Sequence, residues 1–173
     1  MGSLIIYYSR EGENYANGSI VTLEKGNAEW LASYIQEVTD ADLFRVEPVK
    51  EYPADYTACT EEAKKELTKK ARPQLKNYLA GLDGYDRICI VGPCWWGTFP
   101  TPMFTQLEKL DWKGKKVCIV MTHEGSGLGN SERDLKKTCK GARFGKSLAV
   151  FGHQTMESKV LVQEWAREQF LRL

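Results

Sequence analysis

Three segments of this chain carry residues suited to holding an anion, stacking on a flat ring and offering backbone hydrogen bonds. They span residues 9–28, 93–101 and 122–129. The first ends in Gly26-Asn27-Ala28-Glu29. A glycine ahead of a helix lets the backbone approach closely, and the free N–H groups and dipole of the helix start favour an anion. Ser9 and Asn27 add side-chain donors there, and Arg10 a charged one. The same stretch also reads as an ordinary helix start, with Asn27 as the cap and Glu29 in the first turn.

The second segment reads Pro93-Cys94-Trp95-Trp96-Gly97-Thr98-Phe99-Pro100. Loops run over the surface, so paired tryptophans in a Pro/Gly loop suit stacking on a flat ligand or a partner. One of the two indoles is expected to pack inward beneath the next helix. Cys94 reads as a small loop filler or as an oxidation-sensitive thiol. The third segment, Thr122-His123-Glu124-Gly125-Ser126-Gly127-Leu128-Gly129, offers backbone N–H groups from a Gly-rich strand end.

Several partial motifs fail on spacing. Residues 125–129 lack the G-x-G-x-x-G interval and follow the fourth strand, not the first. Residues 141–147 (GARFGKS) fall one short of a phosphate-binding P-loop and lead into a strand. Ser126 lacks the G-x-S-x-G context of a hydrolase nucleophile. His123-Glu124 begins like a zinc-protease helix, but Gly127 stands where the second ligand belongs.

Composition narrows the classes. The chain has 173 residues, 24 basic and 23 acidic, for a formal net charge of +1. This length suits one domain, residues 1–173, with a sizeable core. An apolar content of 42% excludes disorder. Near-neutrality argues against a nucleic-acid or anionic-membrane binder, and also departs from the acidic surface of many small electron carriers. Five cysteines, an odd number without a C-x-x-C pair, indicate thiols in a reducing, cytoplasmic compartment. Two histidines make a Cys/His zinc cluster improbable. The N-terminus lacks the basic and apolar regions of a signal peptide, so the Asn17-Gly18-Ser19 sequon carries no weight. Residues 88–107 are uncharged and about long enough to span a bilayer. Gly92, Pro93, Gly97, Pro100 and Pro102 would break such a helix, so a buried strand and an apolar loop are expected instead.

Apolar runs predict strands at residues 4–8, 42–48, 87–92, 116–121 and 147–151. A long loop is expected at 9–25. Leu31, Tyr34, Ile35 and Val38 have helical spacing after Gly26-Asn27. Helices are further expected near 60–70, 104–110, 132–139 and 157–171. Glu61/Lys65 and Glu66/Lys70 mark the first of these as a solvated face. The alternation of five strands with five helices predicts an α/β domain with a parallel sheet and helices on both faces. Ligands of such sheets bind beyond the carboxyl ends of the strands, where all three segments fall.

Taken in order, Tyr8-Ser9, Gly26-Asn27-Ala28-Glu29, the Pro93–Thr98 loop and the Thr122–Gly129 loop resemble the flavodoxin family over nearly the whole chain. The likeness is nearest to a subgroup with an enlarged first loop and a Trp-Trp-Gly flavin loop. It implies a flavodoxin-like three-layer sandwich, a five-stranded parallel sheet in the order 2-1-3-4-5, and noncovalent FMN. By the same resemblance Ser9, Gly26, Asn27 and Ala28 would hold the phosphate, with Arg10 compensating for the family's usual Thr at position 28. Trp95, Trp96, Gly97 and Thr98, flanked by Pro93 and Cys94, would line the isoalloxazine. Thr122, Glu124, Gly125 and Gly129, with His123 among them, would meet its polar edge. Gly97 would leave the peptide after Trp96 free to rotate and offer a carbonyl to the ring. Three functions stay open. One is an electron carrier between redox partners, and another an NAD(P)H oxidoreductase acting on quinones or other small acceptors. The third is a binding module that has lost the flavin.

Overall fold

Strand β1 (Gly2–Tyr7) is buried from Leu4 onward, as an apolar run with sheet neighbours on both sides should be. The computed structural model describes residues 1–172. The expected long loop after β1 is instead an antiparallel hairpin, β2 (Gly12–Ala16) and β3 (Ser19–Leu23). Asn17 and Gly18 turn it with φ of 47° and 90°, the paired positive values that match strand twist in a two-residue hairpin loop. Helix α1 (Asn27–Thr39) follows, then β4 (Asp42–Arg45). Pro48 lies beyond β4, in an isolated bridge to Leu75.

Helix α2 (Tyr56–Lys69) starts four residues earlier than its charge pattern implied, because Asp55 caps it by accepting from Ala58 N–H at 2.8 Å. Strand β5 (Tyr85–Pro93) leads to α3 (Thr101–Leu107). This helix begins directly after Pro100, because Pro102 is tolerated in a first turn. Strand β6 (Lys116–His123), α4 (Ser131–Thr138), β7 (Arg143–Phe144) and β8 (Leu148–Phe151) come next. The expected final helix is three pieces: a 3₁₀ segment (Gly152–Glu157), α5 (Lys159–Ala166) and a π turn (Arg167–Leu171).

The main sheet is parallel, in the order β4-β1-β5-β6, with β7 and β8 both on the outer edge of β6. Counting the edge as one position gives 2-1-3-4-5. The sheet has six strands rather than five because that edge is split. Between β7 and β8 the chain bends around Gln169, whose Oε1 accepts from Lys146 N–H at 2.9 Å. A Cβ at Gly145 would lie 2.7 Å from both Cys118 Sγ and Gln169 Oε1, so the bend needs glycine.

Alternate residues of the central strands feed two cores. Leu4, Ile6, Ile88, Ile90 and Ile119 face Met103, Leu107 and Leu135 of α3 and α4. Ile5, Val91 and Val120 face Leu31 and Ile35 of α1 and Val162 of α5. These are the three layers of a flavodoxin-like α/β fold. Among the described residues, no helix is long and apolar enough to cross a membrane.

Candidate functional site

The order reverses at β1, between β4 and β5, which opens a crevice at the carboxyl ends of these strands. Ser9 stands at the end of β1. Its Oγ accepts from Glu29 N–H at 3.1 Å, so this serine caps α1 from twenty residues away. Gly26, not Asn27, occupies the cap position, and it makes no side-chain cap bond. A Cβ on Gly26 would collide with Ser9 Oγ and come within 2.8 Å of the Arg10 carbonyl. Only glycine lets the strand end and helix start touch. The first intrahelical bond here runs from Trp30 N–H to Gly26 O. The amides of Asn27 and Ala28 therefore face outward without a helical acceptor.

Arg10 is engaged elsewhere. Its guanidinium donates to the carbonyls of Glu13, Pro53 and Ala54 at 2.9, 3.0 and 3.1 Å. It thus ties the hairpin to the segment entering α2. Glu13 adds a 2.7 Å bond from Tyr56 N–H, and the Tyr15 and Tyr56 rings stack. At the far end, Asn17 N–H donates to Glu124 Oε2. The hairpin therefore bridges from α2 to the end of β6.

After β5, Trp95 N–H donates to Thr98 O at 2.8 Å and closes a tight turn. Its central residues have φ of 56° at Trp96 and 84° at Gly97. Trp95 packs inward, edge-on to Tyr8 and Tyr52 at centroid distances of 5.2 and 4.9 Å. Trp96 stays half exposed. Its indole N–H donates to Thr60 O at 2.8 Å, and Lys64 Nζ lies 4.9 Å from the ring.

A cavity of about 400 Å³ lies between these parts. Arg10 and Asn14 line it from the hairpin side, Tyr56, Cys59 and Thr60 from α2, and the Cys94–Gly97 turn and Ser126 from the strand ends. Burial pushes the Tyr56, Cys59 and Cys94 protons up, so all three side chains stay neutral.

Residues 17–169 match the flavodoxin family. The chain belongs to the flavodoxin family. No curated protein sequence matches it. A solved structure from Bacteroides uniformis ATCC 8492, assigned to the flavoproteins, is 26% identical with a TM-score of 0.74, covering 96% of this chain and 97% of that one. A second from Bacteroides eggerthii DSM 20697 is 22% identical with a TM-score of 0.76, covering 99% of each. A Lactobacillus acidophilus NCFM flavoprotein solved in complex with FMN is 20% identical, with a TM-score of 0.63 over 92% of this chain and 98% of that one.

In this member of the flavodoxin family most of the anticipated site residues fall into three groups. Arg10, Cys94, Trp95, Trp96 and Gly97 share the cavity. Ser9, Gly26, Asn27 and Ala28 meet at the start of α1, with Ser9 and Gly26 in direct contact. Pro93 and Thr122 are sheet partners behind the turn, and Thr122 O accepts from Cys94 N–H at 2.8 Å.

Glu124 turns away from the cavity. Its carboxylate takes bonds from His153 N–H at 2.9 Å, His153 Nδ1 at 2.6 Å and the hairpin tip. His123 Nδ1 accepts from Gly125 N–H at 2.9 Å, and its ring lies against Phe151. Burial holds the His123 imidazole below its ordinary pKa; Glu124 opposes this and His153 adds to it. Gly129 abuts Gly97, and Thr98 is buried with its Oγ1 unpartnered among the described residues.

The sequence reading missed Asn14, Tyr56, Cys59, Thr60 and Ser126. Asn17-Gly18 between strand-like runs was the available signal for the hairpin. The first turns of α2 gave none, because its charge pairs read as solvated. Glu66 in fact accepts from Thr101 Oγ1 at 2.8 Å and from Tyr52 OH.

Proposed function

We propose that this chain is a single-domain electron-transfer flavoprotein that holds FMN noncovalently beside the Cys94–Gly97 turn. Membership of the flavodoxin family makes FMN the cofactor. The observation that carries the reading is the cavity between the hairpin, α2 and the Trp95-Trp96-Gly97 turn. Its size falls in the usual range for small-molecule sites. The unpaired Asn27 and Ala28 amides suit the phosphate, joined by the close Ser9–Gly26 contact. Ala28 lacks the family's usual hydroxyl, a loss of about 1 kcal/mol, or roughly fivefold in affinity.

Bound FMN supplies the redox chemistry, and the protein tunes it through stacking, hydrogen bonds and nearby charge. Trp95 is braced by Tyr8 and Tyr52, so its position is fixed before any ligand arrives. Among the described residues Arg10 is the one charged side chain lining the cavity, while Tyr56, Cys59 and Cys94 stay protonated. A lining whose titratable groups hold their protons suits electron transfer better than acid–base catalysis. Five unpaired thiols support a reducing, cytoplasmic setting.

An NAD(P)H-dependent oxidoreductase is the second reading. It is favoured by the hairpin, which is fastened at Tyr56 and Glu124 and partly encloses the cavity. Redox potentiometry on the purified protein, combined with anaerobic mixing with NADPH and NADH, separates the two. A yellow protein with stable one-electron chemistry and no bleaching by either nucleotide supports the carrier. Rapid bleaching transfers support to the oxidoreductase. A colourless protein that takes up no added FMN removes both.

A further inference from the structure

A second cavity, of about 460 Å³, lies on the outer side of the Trp96 turn, between the end of α2 and α4. Among the described residues Lys70, Arg72, Arg133 and Lys137 line it, against the single carboxylate of Asp134. Arg72 is engaged by Glu108 at 2.7 Å and Arg133 by Asp134 at 3.2 Å. Lys70 and Lys137 have no carboxylate partner among the described residues. Two lysines without a carboxylate partner among the described residues thus line one concave space, one from the end of α2 and one from α4.

The lining adds an independent sign. Thr98 lines this cavity, is only 3% exposed, and its Oγ1 has no hydrogen-bond partner among the described residues. A buried hydroxyl without a partner costs free energy, so such groups are nearly always satisfied. Here the hydroxyl belongs to a residue that lines a cationic cleft. Trp96 borders both cavities, so a ligand in this cleft is separated from the Cys94–Gly97 site by one indole.

We propose that this cleft binds the phosphate groups of a small phosphorylated molecule, with Lys70 and Lys137 as charge partners and Thr98 Oγ1 as a hydrogen-bonding contact. Concavity and the buried hydroxyl favour a small anion over the acidic face of a protein. Such a face would meet the lysines but would not reach Thr98. The relevance to electron transfer rests on the flavin reading, whereas the binding itself does not.

The test uses the purified protein with its flavin, at low salt, and inorganic pyrophosphate as the probe. Two-dimensional ¹⁵N NMR should show saturable shifts at the Trp96 indole and at the Gly97 and Asn130 amides. Lys70→Glu combined with Lys137→Glu should weaken that binding at least tenfold with FMN content unchanged, and Thr98→Val should weaken it severalfold. Absent or non-saturating shifts, or equal affinity in the charge-reversed variant, would overturn the proposal. So would saturable binding of polyglutamate without binding of pyrophosphate, which would assign the cleft to an acidic protein surface. A protein that binds pyrophosphate in this way yet takes up no FMN would sink the flavin reading and leave the cleft standing.

Discussion

The Gly97 carbonyl accepts a 2.6 Å hydrogen bond from the Asn130 amide. That bond fastens the turn after β5 to the loop after β6, the two strand ends that frame the cavity. It forms only because Gly129 has no side chain. A Cβ there would strike the Gly97 carbonyl oxygen and lie 2.7 Å from its carbon.

Gly129→Ala should therefore be much worse than Gly127→Ala. Both glycines have positive φ, 50° and 60°, but a Cβ on Gly127 meets open space. The shared backbone penalty is about 1–2 kcal/mol. The clash with Gly97 should add about 1–3 kcal/mol for Gly129→Ala alone. Urea unfolding of the two variants measures the gap, and equal midpoints would show that the loops are not joined here.

Ser9 and Asn27 should separate stability from cofactor affinity. Ser9 Oγ caps α1 through Glu29, so Ser9→Ala should cost about 1 kcal/mol in stability and also weaken FMN binding. Asn27 makes no cap bond, so Asn27→Ala should change stability by under about 0.5 kcal/mol while still weakening FMN binding. Thermal melts and FMN titrations on both variants decide it. Unchanged FMN affinity in both would move the phosphate away from the start of α1.

Legibility followed how local the cause was. Buried parallel strands such as β5 and β6 are continuous apolar runs, so the sheet and its alternation with helices could be read directly. The split of the edge strand could not, because its cause is Gln169, over twenty residues downstream. The hairpin could have been read from Asn17-Gly18, a turn signal obscured by its resemblance to a sequon. That Glu124 faces His153 and not the cavity is a tertiary choice with no trace in the local sequence. The inward packing of one indole was expected, but which one depended on Tyr8 and Tyr52.

The His123 imidazole should lower stability under mild acid. Its folded pKa lies below its unfolded value near 6.5, so the unfolded chain binds the proton more tightly. Its contribution is intact above that value and is lost as pH falls toward the folded pKa. Protonation would also remove the acceptor for Gly125 N–H. An NMR titration should place His123 below 6.5, and His123→Asn should flatten the fall in stability between about pH 6.5 and 5. A His123 pKa above 6.5 reverses the sign and rejects the account.

Between Trp96 and Gly97 the turn has a peptide whose carbonyl accepts no hydrogen bond among the described residues. The next carbonyl, that of Gly97, is held by Asn130. Trp96 sits at φ 56°, a costly conformation for a bulky residue, and rotating the peptide that follows it changes ψ of Trp96 and φ of Gly97 while leaving that angle in place. Gly97 has φ of 84° in this orientation, the angle that the rotation changes, and a Cβ there would have space, its nearest neighbour being Asn130 Nδ2 at 3.6 Å. Gly97→Ala should thus fold, with a backbone penalty of about 1 kcal/mol that differs between the two orientations of the peptide. If the FMN redox states favour different orientations, a differential of that size moves a one-electron potential by about 40 mV. Potentiometry of Gly97→Ala against the parent protein reads this directly. Two unchanged one-electron potentials, in a variant that still binds FMN, would mean that this peptide does not respond to the flavin.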